Sequence, residues 1–259
     1  MIGAGLQQRD IIGKKGEIQM NAEIRYLYHS GFSLETAGHF LIFDYYLDTP
    51  KGCGLSKGVV DPEEIRDKNV VVFASHSHPD HYSPRIFNWR KNVANIRYVL
   101  ADEIHPPENS IKIAPGETAD LGDLTVRALE STDLGVAFLI HADGLCVYHA
   151  GDLNWWHWDG EPEENNEEMG RRYREQIDTL RGEKIDVAFL PVDPRQEQNA
   201  LLGLTYFMRT VGAKSVVPMH SFGKLEFYES LKADPALKPW MDKILFYRNR
   251  GDVMVYQRD

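Results

Sequence analysis

Val70-Val71-Val72-Phe73-Ala74-Ser75-His76-Ser77-His78-Pro79-Asp80-His81 is the stretch that decides the fold. An unbroken valine-rich run of this length reads as a strand buried on both faces. It ends in three imidazoles and a carboxylate, which places those side chains in a loop at one edge of a sheet. His76 and His78, two apart, point the same way while the extended geometry lasts. The turn after Pro79 lets Asp80 and His81 approach from another side. Imidazole nitrogen and carboxylate oxygen are the usual donors to zinc and neighbouring divalent metals. The bland alternative is a polar surface loop that concentrates histidine, of which the chain has 10.

One loop supplies too few ligands for a metal site, and other apolar runs end in the same way. Leu145-Cys146-Val147-Tyr148-His149-Ala150-Gly151-Asp152 closes on Gly-Asp, Ser215-Val216-Val217-Pro218-Met219-His220 on His, and Phe40-Leu41-Ile42-Phe43-Asp44 on Asp. Residues at the ends of neighbouring strands converge in space although they are distant in sequence. A single strand followed by Asp means little, because Asp is a common turn former. The order of the segments carries more weight.

In that order the chain resembles the metallo-β-lactamase superfamily, whose α/β fold is a four-layer αββα sandwich. The family's motifs run Asp, His-x-His-x-Asp-His, a lone His, Asp and His. Asp44, the group His76, His78, Asp80 and His81, then Asp152 and His220 match four of the five. Within the superfamily the likeness is to the L-ascorbate-6-phosphate lactonase-like branch of metal-dependent hydrolases. Tyr26-Leu27-Tyr28-His29-Ser30-Gly31-Phe32, Tyr148-His149-Ala150-Gly151-Asp152 and Val217-Pro218-Met219-His220 carry it, and it spans residues 22–257. The resemblance implies that His76 and His78 hold one divalent metal together with the third-motif residue. Asp80, His81 and His220 would hold a second, and Asp152 would bridge the pair. One or two ions per chain are expected, zinc first, with manganese or iron admitted. Asp80 becomes the candidate general base if only the second position fills. Asp44 would orient a ligand histidine through its ring N–H. His29 and His149 would stand beside the metals, although single histidines near strand ends read equally well as structural residues.

The third motif departs from the family pattern. Ala128-Leu129-Glu130-Ser131-Thr132-Asp133-Leu134-Gly135 contains no histidine, and His141 lies at the far end of the next strand. Asp133 is the stand-in, since carboxylate can replace imidazole on a divalent metal; otherwise it is a turn residue. As a ligand it adds oxygen character, which favours manganese or iron relative to zinc.

Substrate-binding candidates are Arg195, in Leu190-Pro191-Val192-Asp193-Pro194-Arg195 after a strand, and Trp155 and Trp156 in Asn154-Trp155-Trp156-His157-Trp158. Arg195 suits bidentate capture of a carboxylate or phosphate, or is an ordinary surface arginine. The tryptophans wall a pocket or serve as core packing. Lys224 is a weaker anion candidate. The net charge of −10 speaks against a nucleic-acid partner. The one dense basic cluster, Arg171-Arg172-Tyr173-Arg174, follows a run of glutamates at helical spacing and reads as their ion-pair partner. Cys53 and Cys146 are too few for a disulfide scaffold. No apolar run is long enough to span a membrane and no signal-peptide core is seen, so the cytoplasm is expected.

Residues 22–259 read as a single domain, preceded by a peripheral arm over 1–21. Strands are expected at 22–28, 39–45, 69–75, 97–100, 110–113, 123–130, 135–141, 144–150, 185–190, 214–219, 243–248 and 252–257, and helices at 61–67, 83–91, 164–181, 197–211 and 224–232. The leading functional reading is a metal-dependent hydrolase of a small anionic metabolite, a lactone or phosphoester, that assembles into homo-oligomers. A nuclease or cyclic-nucleotide phosphodiesterase, and a catalytically silent metal-binding protein, are the alternatives.

Overall fold

The valine run forms β4 (Val70–Ala74), and all five of its residues are buried. It lies between β3 (Phe40–Phe43) and β5 (Ile96–Ala101), parallel to both, which is the setting that continuous apolar strands require. The computed structural model describes residues 21–107 and 109–258. The arm expected over 1–21 lies outside the described residues except for Asn21, which opens β1.

The first sheet runs β13 (Val253–Gln257), β1 (Asn21–Tyr28), β2 (Gly31–Glu35), β3, β4, β5 and β6 (Ile111–Ile113). The second runs β12 (Ala213–Met219), β11 (Ile185–Pro191), β10 (Leu145–His149), β9 (Val136–Ala142), β8 (Leu124–Glu130) and β7 (Thr118–Asp120). Each sheet contains an antiparallel meander after whose last strand two further strands are added in parallel, one beside the other. These are β1-β2-β3 followed by β4 and β5, and β8-β9-β10 followed by β11 and β12.

Aromatic side chains from the two inner faces meet between the sheets. The rings of Phe32 and Phe189 are 4.9 Å apart, those of Phe73 and Phe138 5.3 Å, and Phe43 stacks on His149 at 4.8 Å. Outside the first sheet, the 3₁₀ run Pro84–Lys91 places Trp89 5.1 Å from Tyr45. Outside the second, α1 (Glu163–Asp178) and α2 (Leu202–Thr210) pack together, and Phe207 stacks on Tyr148 at 5.2 Å. This is the four-layer αββα sandwich expected from the sequence, and its buried apolar residues form one contiguous cluster. Arg171 of α1 pairs with Glu168 at 2.6 Å and with Glu175, as its spacing implied. Among the described residues no helix is long and apolar enough to cross a membrane.

Several elements differ from expectation. Residues 61–67 form turns rather than a helix, with the Asp61 carboxylate accepting the Glu63 N–H at 3.0 Å. The apolar stretch 243–248 pairs with β12 through a single isolated bridge, Val216 to Ile244, and does not form a strand. The helix expected over 197–211 begins only at Leu202, after a 3₁₀ run Pro194–Asn199 that is kinked at Glu197, whose φ is 49°. β2, β7 and the 3₁₀ run Pro235–Lys243 were not anticipated.

The sheets approach each other most closely where β4 ends. The Val136 N–H donates to the Ser75 carbonyl at 2.9 Å. A Cβ on Gly135, whose φ is +69°, would lie 2.0 Å from that same oxygen. Gly135→Ala is therefore expected to cost at least about 2 kcal/mol, from left-handed backbone plus overpacking. A lowered urea midpoint with an unchanged slope would show it; an unchanged midpoint would mean that the approach is not tight.

Candidate metal centre

The strand ends converge as the motif order implied. His76, His78, Asp133 and Asp152 each offer one ligand atom, all within 4.8 Å of one another, and His29, Asp80, His81 and His220 form a second such group. Asp152, two residues beyond the Ala150 that follows β10, stands between them. Its Oδ2 lies 3.6 Å from His76 Nε2, while its Oδ1 lies 3.2 Å from both His81 Nε2 and His220 Nε2.

Hydrogen bonds on the far side of each ring decide which nitrogen faces the centre. Asp44 Oδ1 accepts the Ser75 N–H at 2.8 Å, and its Oδ2 accepts the Ser75 hydroxyl at 2.7 Å and faces His81 Nδ1 at 2.8 Å. The Ser75 hydroxyl proton is thereby committed, so Ser75 Oγ accepts from His76 Nδ1 at 2.9 Å. Asp193 Oδ2 does the same for His220 Nδ1 at 2.9 Å. In all three rings Nδ1 is the donor, which turns the Nε2 lone pair inward. His149 is different. Its Nε2 donates to the Ser30 carbonyl at 3.0 Å and its Nδ1 accepts the Gly151 N–H at 3.2 Å, so both nitrogens are committed to holding backbone.

The electrostatics follow from burial. His76 is pushed down to about 4, mainly by burial and then by His81. Burial also opposes a charge on His81 and His220, but the Asp152 carboxylate overcomes it and raises both. Burial likewise works against Asp152, Asp44 and Asp193, and the imidazoles beside them hold all three below the usual carboxylate range.

Buried Nε2 atoms of His29, His76, His81 and His220, and Oδ1 of Asp152, have no hydrogen-bond partner. A buried polar atom left unpaired costs about 1–3 kcal/mol. Several such atoms aimed at one another are the arrangement that a cation satisfies, and a mixed nitrogen and oxygen set suits zinc and its neighbours.

The structure brings His76, Asp80, His81, Asp152 and His220 together, with Asp44 behind His81. His78 and Asp133 meet at the rim, His78 Nδ1 being 3.4 Å from Asp133 Oδ2 with both side chains 47% exposed. Trp156 packs 5.2 Å from His220. Trp155 does not line the centre: it turns towards the helices, 4.5 Å from the Arg174 guanidinium and 6.4 Å from Tyr173. Its neighbour Trp156 takes the place beside His220. His141 pairs with Cys146 at the far end of β9, away from the centre. Arg195 reaches the rim, with its guanidinium on the Asp193 carboxylate and 4.5 Å above the Phe222 ring. Sequence reasoning missed Ser75 and Asp193. Asp193 follows β11 as Asp44 follows β3, and that repeated placement was the available signal.

A model of the beta-lactamase superfamily domain matches residues 23–156. A metal-dependent hydrolase of Opitutus terrae is 31% identical over 151 residues, covering 50% of this chain and 62% of the relative. The chain thus spans less than two thirds of that relative's length. A metallo hydrolase of the archaeon Ignicoccus hospitalis has a TM-score of 0.65 at 17% identity, covering 92% of this chain and 100% of the other. A metallo-beta-lactamase fold protein of Bacillus subtilis gives 0.57 at 14% identity, covering 91% and 99%. At these identities the two structures speak to the fold.

The raised histidines fix a pH dependence. His81 and His220 bind protons more tightly folded than unfolded, so they stabilise the metal-free fold fully below about 6.5 and lose this as pH rises. Asp152 contributes above about 3.8 and loses its share as pH falls. Burial acts the other way on His29, His76 and His149, whose lowered pKa values add stability as pH rises towards about 6.5, so the Tm in chelator should peak near 6.5 and decline towards alkaline pH. Added zinc displaces the protons, so its stabilising shift should grow with pH, by up to about tenfold in affinity per unit per proton. Calorimetry with and without chelator checks both signs; a chelator-treated protein that gains stability from pH 6.5 upwards would contradict the assignment.

Proposed function

The chain belongs to the beta-lactamase superfamily, and from that premise we propose a metal-dependent hydrolase acting on a small anionic metabolite, a lactone or a phosphoester. The observation that carries it is Asp152, whose two oxygens face separate groups of inward-turned donors. His76, His78, Asp133 and Asp152 would hold one divalent cation, and Asp80, His81, His220 and Asp152 a second. Zinc is the first expectation, while the carboxylate of Asp133 also suits manganese or iron. Cations there supply Lewis acidity, which polarises a carbonyl or phosphoryl oxygen and lowers the pKa of water from about 15.7 towards 7.

The chain's own residues supply the rest. Asp80, with 31% of its side chain exposed, stands at the mouth and, if only the second position fills, is the candidate acceptor for a proton of the attacking water. Arg195 and Lys224 flank a cavity of about 150 Å³ with Phe222 and Ser221. The Asp193 hydrogen bond raises the pKa of Arg195 most, with smaller contributions from the charges of Asp152 and Asp80, which place its cation at the reacting centre's edge. These two side chains are the candidate clamp for an anionic group. Trp156 and Trp158, stacked 5.7 Å apart, would wall the organic part of the substrate. The lactonase-like motifs favour a lactone, and the net charge of −10 favours a small substrate over nucleic acid. A cytoplasmic, homo-oligomeric protein belongs to the same reading.

A panel of lactones, phosphomonoesters, phosphodiesters and nitrophenyl esters, with zinc or manganese, tests the proposal. On the best substrate, Asp152→Asn and His78→Ala should each lose kcat/KM by about 100-fold or more, the scale of removing a group that stabilises transition-state charge. Arg195→Ala should raise KM about 10- to 100-fold for anionic substrates and leave neutral esters unaffected, as loss of a charge-assisted hydrogen bond predicts. An Asp152→Asn variant as active as the parent would sink the proposal.

A further inference from the structure

His29 is wired in the opposite sense to the three histidines that face the centre. Its ring is fully enclosed, and Nδ1 accepts the backbone N–H of Phe222 at 3.1 Å. A backbone amide can only donate, so Nδ1 carries no proton and the ring keeps its proton on Nε2. In His76, His81 and His220 the acceptors on Nδ1 impose the reverse. A cation on Nε2 of His29 would require an imidazolate or loss of the Phe222 bond. That Nε2 nevertheless points inward without a hydrogen-bond partner, 3.6 Å from Asp80 Oδ2. Asp80 in turn makes no hydrogen bond among the described residues.

The ring is held firmly in this pose. His29 has a φ of 56°, its N–H donates to the Tyr26 hydroxyl at 2.9 Å, and its carbonyl accepts the His220 N–H at 3.3 Å. Phe222, itself at a φ of 50°, covers the ring at 3.9 Å between centroids. Non-glycine residues keep left-handed backbone only where their surroundings over-determine it.

We propose that His29 is not a cation ligand but a fixed N–H donor that holds one oxygen of Asp80, leaving the other oxygen to face the second cation position. His29 is thus a positioning residue acting through Asp80, and the inference rests on reading the centre as a metal site. It separates His29 from a ligand set that distance alone would include.

The test uses the full chain labelled with ¹⁵N-histidine, metal-free and loaded with zinc alone, and long-range proton–nitrogen spectra. The His29 signals are assigned by their loss in His29→Gln. They should report a proton on Nε2 in both states, while Nε2 of His76, His81 and His220 shifts on loading. In chelator competition, His29→Ala should weaken the second zinc equivalent about 10- to 100-fold, the usual cost of losing a partner behind a ligand, and spare the first. His29→Gln, whose amide N–H has similar reach, should bind close to the parent. A zinc-shifted Nε2 at His29, equal losses in both variants, or no loss in the alanine variant would each overturn the inference. If the parent binds no zinc, the reading of the centre fails and takes the inference with it. If the parent binds and the alanine variant is unmoved, the inference alone fails.

Discussion

A carboxylate with no access to water holds this molecule's centre together. Asp44 is completely buried, and a lone buried carboxylate costs several kcal/mol. The Ser75 N–H, the Ser75 hydroxyl and His81 offset that cost with hydrogen bonds of 2.7–2.8 Å, each worth about 1.5–3 kcal/mol when one partner is charged. The same carboxylate sets the protonation of two rings. It accepts the His81 Nδ1–H directly, and by accepting the Ser75 hydroxyl it leaves Ser75 Oγ free to accept from His76. The parallel pairing of β3 with β4 makes this possible, because the Asp44 N–H continues the ladder to the Phe73 carbonyl at 3.0 Å. Crowding reinforces it, since a Cβ on either Gly135 or Gly151 would collide with Ser75.

The two sheets repeat one connectivity and put it to different uses. Asp44 follows the last strand of the first meander, and Asp152 follows the last strand of the second. Asp44 is locked behind a histidine, whereas Asp152 keeps an oxygen free for the centre. One strand further on, β4 delivers Ser75 and His76, and β11 delivers Asp193, which orients His220. Of seven described non-glycine residues with positive φ, four are His29, Asp44, His220 and Phe222. Each such residue costs of order 1–3 kcal/mol. Concentrating them where strands end turns side chains out of the pleat and towards one another, which regular strand geometry would not do.

Continuous apolar runs ending in ligand residues made β3, β4, β10 and β12 legible, and with them most of the centre. Their order also made the four-layer architecture legible. What escaped was short or relational. β2 is five residues joined to β1 through His29 and Ser30, with no Gly-rich interruption strong enough to mark a hairpin. The 243–248 stretch has the composition of a strand, but Leu245 donates to Val216 and the pairing stops there. Asp193 and Ser75 are ordinary residue types whose importance lies in which ring nitrogen they touch. That is set by tertiary approach and leaves no spacing signature. The separation of Trp155 from Trp156 was unreadable for the same reason: adjacent identical residues differ only in the face they are given.

Asp133 shows how a departure from the family pattern can be accommodated. The sequence offered turn residue or ligand, and the structure shows a turn residue whose carboxylate faces His78. Its N–H donates to Ser131 Oγ at 3.1 Å, closing a turn whose Thr132 hydroxyl donates to the Asn154 carbonyl at 2.7 Å. The exposed contact with His78 adds at most about 1 kcal/mol, so the turn and not the ion pair holds the carboxylate in place. The replacement also changes the charge. With His29 and His76 neutral, the centre presents the carboxylates of Asp80, Asp133 and Asp152. Two divalent cations would bring four positive charges against those three, and the carboxylates of Asp44 and Asp193, held below the usual range by the histidines they touch, offset them further. At the rim Arg195 is the cation that an anionic group would meet, in a protein whose overall charge is negative.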